Sequence, residues 1–108
     1  MLNRGFQFIR LKGRLADEPK LVMGRGGKFV MNFTLFLPTS QGKDTPTSFV
    51  AFDAIAEEIH AHGEKGGFVE VEAEYIQIKK TDDSTGKNSY ESKFLVKKVY
   101  GVHPKIIK

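Results

Sequence analysis

The sequence predicts an all-β domain, a five-stranded antiparallel barrel with one short helix between strands 3 and 4. Five segments alternate apolar and polar residues with the period of two that is typical of strands, and polar turns containing glycine or proline separate them. The stretch after the third segment instead spaces its apolar residues four apart, as a helix does. At 108 residues, the chain has the length of one domain.

Residues 6–15, FQFIRLKGRL, form the first predicted strand. Its core face is expected to consist of Gln7, Ile9, Leu11, Gly13 and Leu15, and the glycine allows a bend or a close backbone approach. The outer face carries two rings and three cations: Phe6, Phe8, Arg10, Lys12 and Arg14. Rings stack on bases and cations pair with phosphates, so this face fits a single nucleic-acid strand. The alternative is that the rings pack at a subunit interface beside solvated cations.

The second predicted strand, residues 29–37, has one strongly apolar face. Its outer face is mixed and carries Val30, Asn32, Thr34 and Phe36. A large ring on an outer face indicates either a bound ligand or a covering element or subunit. Before this strand, residues 20–23 fit a short extended piece and residues 24–27 a flexible turn. That turn leaves Arg25 and Lys28 available to phosphates.

The third predicted strand, residues 47–53, follows a polar loop at 38–46. Phe49 and Ala51 are expected on one face, while the other face carries Ser48, Val50 and Phe52. The strand runs directly into the predicted helix.

The helix is expected to begin after Asp53, a candidate N-cap, and to cover the stretch AIAEEIHAH. Ile55 and Ile59 form its apolar stripe, and Gly63 is expected to end it.

The fourth predicted strand, residues 68–80, has a core face of Val69, Val71 and Ala73. Its outer face carries Glu70, Glu72 and Glu74, an acidic surface that is either solvated or intersubunit. The alternation changes register after Tyr75, which predicts a bulge or bend near residues 74–76.

A loop at 81–89 and a fifth strand at 90–102 complete the predicted domain, which covers residues 1–102. Residues 103–108 are expected to be a short, basic and mobile end. Three strands, one helix and two further strands are the element order of the OB-fold, so the sequence predicts this fold.

Charge is segregated along the chain. Residues 1–52 hold eight Lys and Arg against three acids, residues 53–78 one Lys against seven acids, and residues 79–108 eight Lys against three acids. This pattern predicts a positive side built from both ends of the chain, which favours a polyanionic partner. Solvated charge alone would give the same pattern.

Catalytic chemistry is not indicated. His60 and His62 point to different sides of the predicted helix and His103 stands apart, so we expect neither a metal site nor a cofactor. The carboxylates have no nucleophile arranged beside them, and the protein is not expected to be an enzyme. There is no cysteine, and no apolar run approaches the roughly 18 residues of a membrane span. A location in the cytoplasm, without membrane association, is the expectation.

Several stretches resemble the DNA-binding domain of the bacterial and phage single-stranded DNA-binding proteins, the SSB family. They are MLNR at the start, GRLADEP at 13–19, FVMNFTL at 29–35, SFVAFDAIAEEI at 48–59, KGGFVEVEAE at 65–74, and then Gly86 and Tyr90. Their order and spacing extend over nearly all of residues 1–102. The resemblance implies an OB-fold, sequence-tolerant binding of single-stranded DNA, and usually a homotetramer.

The resemblance carries over only in part. Phe52 matches a stacking aromatic at the end of the family's third strand. Three other family aromatics fall where this chain has Pro46 or Thr47, Lys79 or Lys80, and Ser40 or Gln41. The candidates to replace them are Phe6, Phe8, Phe36, Tyr75 and Tyr90.

The C-terminus also departs from the family. Typical bacterial members continue into an acidic tail that recruits other proteins, whereas this chain ends in the basic PKIIK. Either a tail was removed or this is a phage, plasmid or divergent form, and partners that recognise an acidic tail are in doubt. The expected location becomes the nucleoid, or the host cytoplasm for a phage protein.

Together these observations predict a protein that protects or organises single-stranded DNA during replication, recombination or repair. The predicted DNA-binding residues are Arg10, Lys12, Arg14, Arg25, Lys28, Asn32, Thr34, Phe36, Phe52, Lys79, Lys80, Lys87, Tyr90 and Lys93. The alternative is an OB-fold interaction or accessory subunit of a replisome or primosome. The outer-face rings Phe6, Phe8 and Phe36 also predict a homo-oligomer, with a tetramer favoured and a dimer next.

Overall fold

The computed structural model describes residues 8–104, which form six strands and one α-helix. Their order is β1 (Phe8–Leu15), β2 (Val22–Met23), β3 (Phe29–Pro38), β4 (Asp44–Phe52), α1 (Asp53–His62), β5 (Phe68–Thr81) and β6 (Asn88–His103). A short 3-10 turn, Arg25–Gly27, precedes β3. The predictions that concern Phe6, Gln7 and residues 105–108 lie outside this part of the chain.

The five long strands form a closed sheet in the order β1-β5-β6-β4-β3. The short strand β2 pairs with the first two residues of β3. Closure comes from a second pairing of β1, which meets β3 at Arg14↔Phe36 and Leu15↔Leu35. The predicted all-β class is confirmed, and the single helix lies between the third and fourth long strands, β4 and β5, as expected. The extra strand β2 falls on the segment that was expected to be a short extended piece.

The expectation of an entirely antiparallel sheet is wrong at one pairing. β4 and β6 run parallel, with Phe49 opposite Phe94 and Val50 opposite Leu95. The chain crosses from β4 through α1 to β5, and the β5–β6 hairpin then reverses its direction once. β6 therefore returns alongside β4 in the same sense.

The core lies inside the closed sheet, with α1 packed against it. Phe49 stacks on Phe33 at 5.3 Å and on Phe94 at 5.4 Å between ring centroids. The predicted inner faces of β3, β4 and β5 are confirmed by the buried residues Met31, Phe33, Leu35, Phe49, Ala51, Val69, Val71 and Ala73. On β1, however, Ile9 is 45 % exposed, so the prediction that it lies in the core is wrong.

Gly13 is where β1 and β3 approach each other closely. A Cβ atom at this position would lie 2.7 Å from the carbonyl oxygen of Phe36 and 2.8 Å from a methyl carbon of Leu37. Only glycine leaves room for this contact, so the expected close backbone approach is confirmed. The sheet closes at the next two residues of β1.

The start of α1 differs from the prediction. Asp53 is the first helical residue rather than the N-cap, and its φ of 49° is positive. Its carboxylate accepts a hydrogen bond from the backbone N–H of Phe29 at 3.1 Å, so it joins the helix to β3 instead of capping the helix. The predicted end is confirmed, because the N–H of Gly63 donates to the Ile59 carbonyl at 2.7 Å.

The change of pattern after Tyr75 does not come from a bulge at residues 74–76, one of the two predicted causes. The register shifts between β5 and β6 lie earlier, between Glu70 and Val71 and between Glu72 and Ala73. From Ala73 to Thr81 the pairing with β6 is unbroken, and residues 77–90 are exposed. The pattern changes because both strands leave the core there and continue as a projecting hairpin. β6 also reaches His103, so this residue is part of the sheet rather than of a mobile end.

Candidate nucleic-acid interface

The outer face of β3 and β4 gathers several predicted site residues. The register places Val30 opposite Phe52, Asn32 opposite Val50, and Thr34 opposite Ser48. Lys93 of β6 also reaches this face, because its Nζ donates a hydrogen bond to the side-chain oxygen of Asn32 at 2.7 Å. We call this surface, formed by Asn32, Thr34, Ser48, Phe52 and Lys93, the β3–β4 face.

Phe52 presents an accessible ring at one end of the β3–β4 face. It is the last residue of β4 and is 45 % exposed. Beside it, Ile55, Leu95 and Lys97 help to line a shallow groove of about 240 Å³. A flat ring in a partly apolar groove with one nearby cation can stack a nucleobase and place its phosphate near an ammonium group.

Two basic segments flank the β3–β4 face. At the Phe52 end, the 3-10 turn and its neighbour expose Arg25 and Lys28. At the other end, the β5–β6 hairpin exposes Lys79 and Lys87. Within residues 8–104 none of these four cations forms an ion pair. They are therefore free to pair with phosphates.

A small cleft of about 190 Å³ lies between Asn32, Thr34, Ser48 and Lys93. Its rim also includes three carboxylates, those of Asp17, Glu18 and Glu91. Carboxylates repel phosphate but accept hydrogen bonds from the amino groups of bases. This cleft is consequently better suited to the edge of a base than to the nucleic-acid backbone.

Phe36 and Arg14 form a separate part of the surface, where β1 meets β3. The Arg14 guanidinium carbon lies 5.9 Å from the centroid of the half-buried Phe36 ring, and one of its nitrogens is 2.8 Å from a carboxylate oxygen of Asp44. The two residues line a shallow cleft of about 680 Å³ with Lys65 and Phe68. Arg14 thus already has an anionic partner in the folded protein.

Arg10 and Lys12, two of the predicted DNA-binding residues, do not lie on the β3–β4 face. β1 pairs with β3 only at its last two residues, and the earlier part of β1 pairs with β5. The Arg10 Nε is 2.7 Å from a Glu70 oxygen, and its guanidinium lies 3.8 Å from the Tyr100 ring centroid. Lys12 lies 5.7 Å from the Phe68 centroid. Tertiary pairing places both cations on a β1–β5–β6 surface.

The positive side predicted from the two ends of the chain is interrupted. β5 lies between β1 and β6, so its acidic face separates the two basic strands. Glu70 pairs with Arg10, Glu72 accepts a hydrogen bond from Tyr100 at 3.2 Å, and Glu74 is 4.0 Å from Lys97. Linear charge segregation did not predict this because the sheet order places distant segments side by side.

The remaining candidate residues lie on the β5–β6 hairpin, where the pairing of the two strands sets their positions. Lys79 lies opposite Tyr90, which is 64 % exposed, while Lys80 lies opposite Ser89. Lys80 donates to Glu91 at 2.5 Å, and Lys93 lies 3.1 Å from the same carboxylate. Hydrogen bonds from Lys80 and then Lys93 lower the pKa of Glu91 below its ordinary value.

The turn of this hairpin is held by Asp82. Its carboxylate accepts hydrogen bonds from the side chain and the backbone N–H of Ser84, at 2.7 and 2.9 Å. These bonds, with the side-chain bond first, lower the pKa of Asp82. An ordered turn fixes where Lys87 projects.

Two residues near these sites were not predicted. Glu91 contacts two candidate lysines, and the sequence held a signal for it, since residues 91 and 93 fall on the same face of a strand. Tyr100 lies under Arg10 and 4.8 Å from the Lys98 ammonium, which depends on the β5–β6 register and had no local signal.

Other functional features are few in the part of the chain that the structure describes. Between residues 8 and 104, no three His, Asp or Glu side chains are grouped so that they could hold a metal ion. Over the same range, no helix has the length and apolarity to span a membrane. The buried side-chain polar atoms in this range all have hydrogen-bond partners.

No protein-family model and no curated protein matches the chain. The likeness to the single-stranded DNA-binding proteins therefore rests on the residue patterns described above.

Proposed function

We propose that this chain is an OB-fold protein that binds single-stranded DNA with little sequence preference and performs no catalysis. The closed five-strand order supports the fold, because the helix lies between β4 and β5 as it does between the third and fourth strands of an OB-fold. OB-folds bind oligonucleotides on the sheet of their second and third strands, between the loops that follow strands 1 and 4. The β3–β4 face is the corresponding surface.

The observation that carries the proposal is the exposed Phe52 ring on a face that is flanked at both ends by cations without an ion pair within residues 8–104. Arg25 and Lys28 lie on the segment between β1 and β3, and Lys79 and Lys87 lie on the β5–β6 hairpin. A single strand that crosses the face would stack one base on Phe52 and would meet cations at both ends. The outward residues from Lys28 to Phe36 span about 27 Å, at roughly 3.4 Å per strand residue.

Titration of a labelled oligo-dT with the whole protein tests this function. We expect saturable binding, weaker binding to duplex DNA of equal length, and a loss of affinity with salt at a slope of about −0.7 per phosphate neutralised. Mixed-sequence single strands are the matched comparison, because stacking and phosphate contacts tolerate any base. Equal affinity for duplex and single strand would contradict the proposal.

An accessory subunit that binds another protein is the second candidate. The observation that favours it is the two-residue edge strand β2, where Val22 and Met23 are 56 % and 59 % exposed. Paired acids also occupy four of the predicted DNA-binding cations, Arg10, Arg14, Lys80 and Lys93. Failure to bind oligo-dT, with a stable complex between the protein and a replisome or primosome component, would favour this candidate.

A further inference from the structure

One carboxylate lies among the cations of the candidate interface. Glu91 accepts a hydrogen bond from Lys80 at 2.5 Å and lies 3.1 Å from the Lys93 ammonium. Lys93 also donates to Asn32, at 2.7 Å. A single negative charge on β6 thus connects β5, β6 and β3. The Lys93 side chain is only 16 % exposed, so this contact is better shielded from water than an ordinary surface pair.

The geometry limits what these lysines can offer to a phosphate. An ammonium group has three donors, and two of those on Lys93 are directed at Asn32 and Glu91. Lys80 is paired with the same carboxylate. A phosphate that approaches either lysine must share it with Glu91 or displace Glu91 from it.

We propose that Glu91 acts as an internal substitute for phosphate, which holds Lys80 and Lys93 on the β3–β4 side of the hairpin and competes with the nucleic-acid backbone for both. This inference rests on the proposed binding of single-stranded DNA and names a residue that limits its strength. Without nucleic acid, the carboxylate keeps the two cations in position. With nucleic acid, it lowers the net gain from each phosphate contact and so eases release.

The Arg14–Asp44 pair does not have the same properties. It involves one cation and one acid, and their side chains are 47 % and 42 % exposed. Water and salt screen such a pair strongly. Glu91 instead contacts two lysines at once, and one of them is largely covered.

The substitution Glu91→Gln tests the proposal, because the amide keeps the shape of the side chain and removes its charge. We expect oligo-dT to bind about fivefold more tightly at low salt. We also expect the salt slope to steepen by about 0.7 to 1.4, as one or two more phosphates are neutralised. Asp83→Asn is the matched control, since Asp83 lies at the tip of the same hairpin and forms no ion pair within residues 8–104.

A double-mutant cycle separates this role from general electrostatics. In a Lys80→Gln, Lys93→Gln background, Glu91→Gln should give no more gain than Asp83→Asn gives, because the competing cations are absent. A gain of the same size in both backgrounds would overturn the proposal. Thermal melts of every variant check that the folded state is retained.

The failure of this inference differs from the failure of the proposed function. If the wild-type protein binds oligo-dT and Glu91→Gln behaves as Asp83→Asn does, only the role of Glu91 is wrong. If neither the wild type nor Glu91→Gln binds, the DNA-binding function is wrong and the role of Glu91 with it. Tighter binding by Glu91→Gln alone, with a steeper salt slope, supports both.

Discussion

The Lys93 ammonium donates a hydrogen bond to the Asn32 side-chain oxygen at 2.7 Å, across 61 positions of sequence. This bond joins β6, at the base of the β5–β6 hairpin, to the outer face of β3. The hairpin cations are thereby held near the strand pair on which Phe52 is exposed.

Phe52→Ala should weaken the binding of oligo-dT by about 5- to 150-fold, because loss of one base stack costs about 1–3 kcal/mol. Phe52→Tyr keeps the ring and should bind nearly as the wild type does. Fluorescence titration at one fixed salt concentration measures both variants. Equal affinity of the alanine variant and the wild type would place the stacking site elsewhere.

Lys28→Gln and Arg10→Gln each remove one positive charge and should differ in effect. Lys28 flanks the β3–β4 face and forms no ion pair with the residues that the structure describes, so its loss should reduce the salt slope by about 0.7 and weaken binding to every sequence equally. Arg10 is paired with Glu70 on the β1–β5–β6 surface, and its loss should change the slope little. Salt titrations of the two variants side by side measure this. A larger change in slope for Arg10→Gln than for Lys28→Gln would indicate that the DNA runs along β1 instead.

Gly13→Ala should destabilise the fold. The added methyl group would lie 2.7 Å from the Phe36 carbonyl oxygen, where the sheet closes, and overpacking of this kind costs about 1–3 kcal/mol. For a domain of this size, each kcal/mol lowers Tm by about 4–8 °C. Gly42→Asn is the control, because Gly42 lies in an open turn at a φ of 81° that asparagine tolerates. An unchanged Tm in the alanine variant would show that β1 can move away from β3.

Acid should remove the stabilising contribution of Glu91. Its folded-state pKa is depressed, so the contribution is fully present above the ordinary value of 4.5 and is lost as the pH falls through the lower folded-state pKa. Urea melts of the wild type and of Glu91→Gln should therefore differ most near neutral pH and converge at acid pH. Curves that remain parallel down to pH 3 would contradict the pairing with Lys80 and Lys93.

The exposed apolar side chains of β1 predict that the protein is an oligomer. Phe8 is 51 % exposed and Ile9 45 % exposed on neighbouring positions of β1, which favours a covering subunit over a lone domain. We expect light scattering to give an oligomeric mass without DNA, a tetramer before a dimer. Phe8→Ser should shift that mass downward, and Phe52→Ser, which alters the β3–β4 face, should not. A monomeric mass for the wild type at micromolar concentration would contradict this expectation.

Local pattern predicted most of the strands and most of the core. Met31, Phe33 and Leu35 alternate with outward residues, and a period of two assigns each to a face without knowledge of its neighbours. The exposure of Phe52 was predicted from the same alternation, and the helix end was predicted from the glycine at position 63. The pattern also indicated which types of side chain a nucleic-acid strand would need. These features depend on residues within a few positions of one another.

Tertiary structure alone decided which of those side chains lie together. Arg10 and Arg14 lie on one predicted face of β1. In the folded protein, pairing with β5 places Arg10 beside Glu70, whereas pairing with β3 places Arg14 opposite Phe36. The parallel pairing of β4 with β6, and the contact of Lys93 with Asn32, likewise join distant segments. Strand order and register are set by packing of the whole core, whereas alternation is set by the geometry of a single strand. For this protein, the sequence by itself determined most of the strands and most of their inner faces, and the closed sheet determined which cations of residues 8–104 remain free for a ligand.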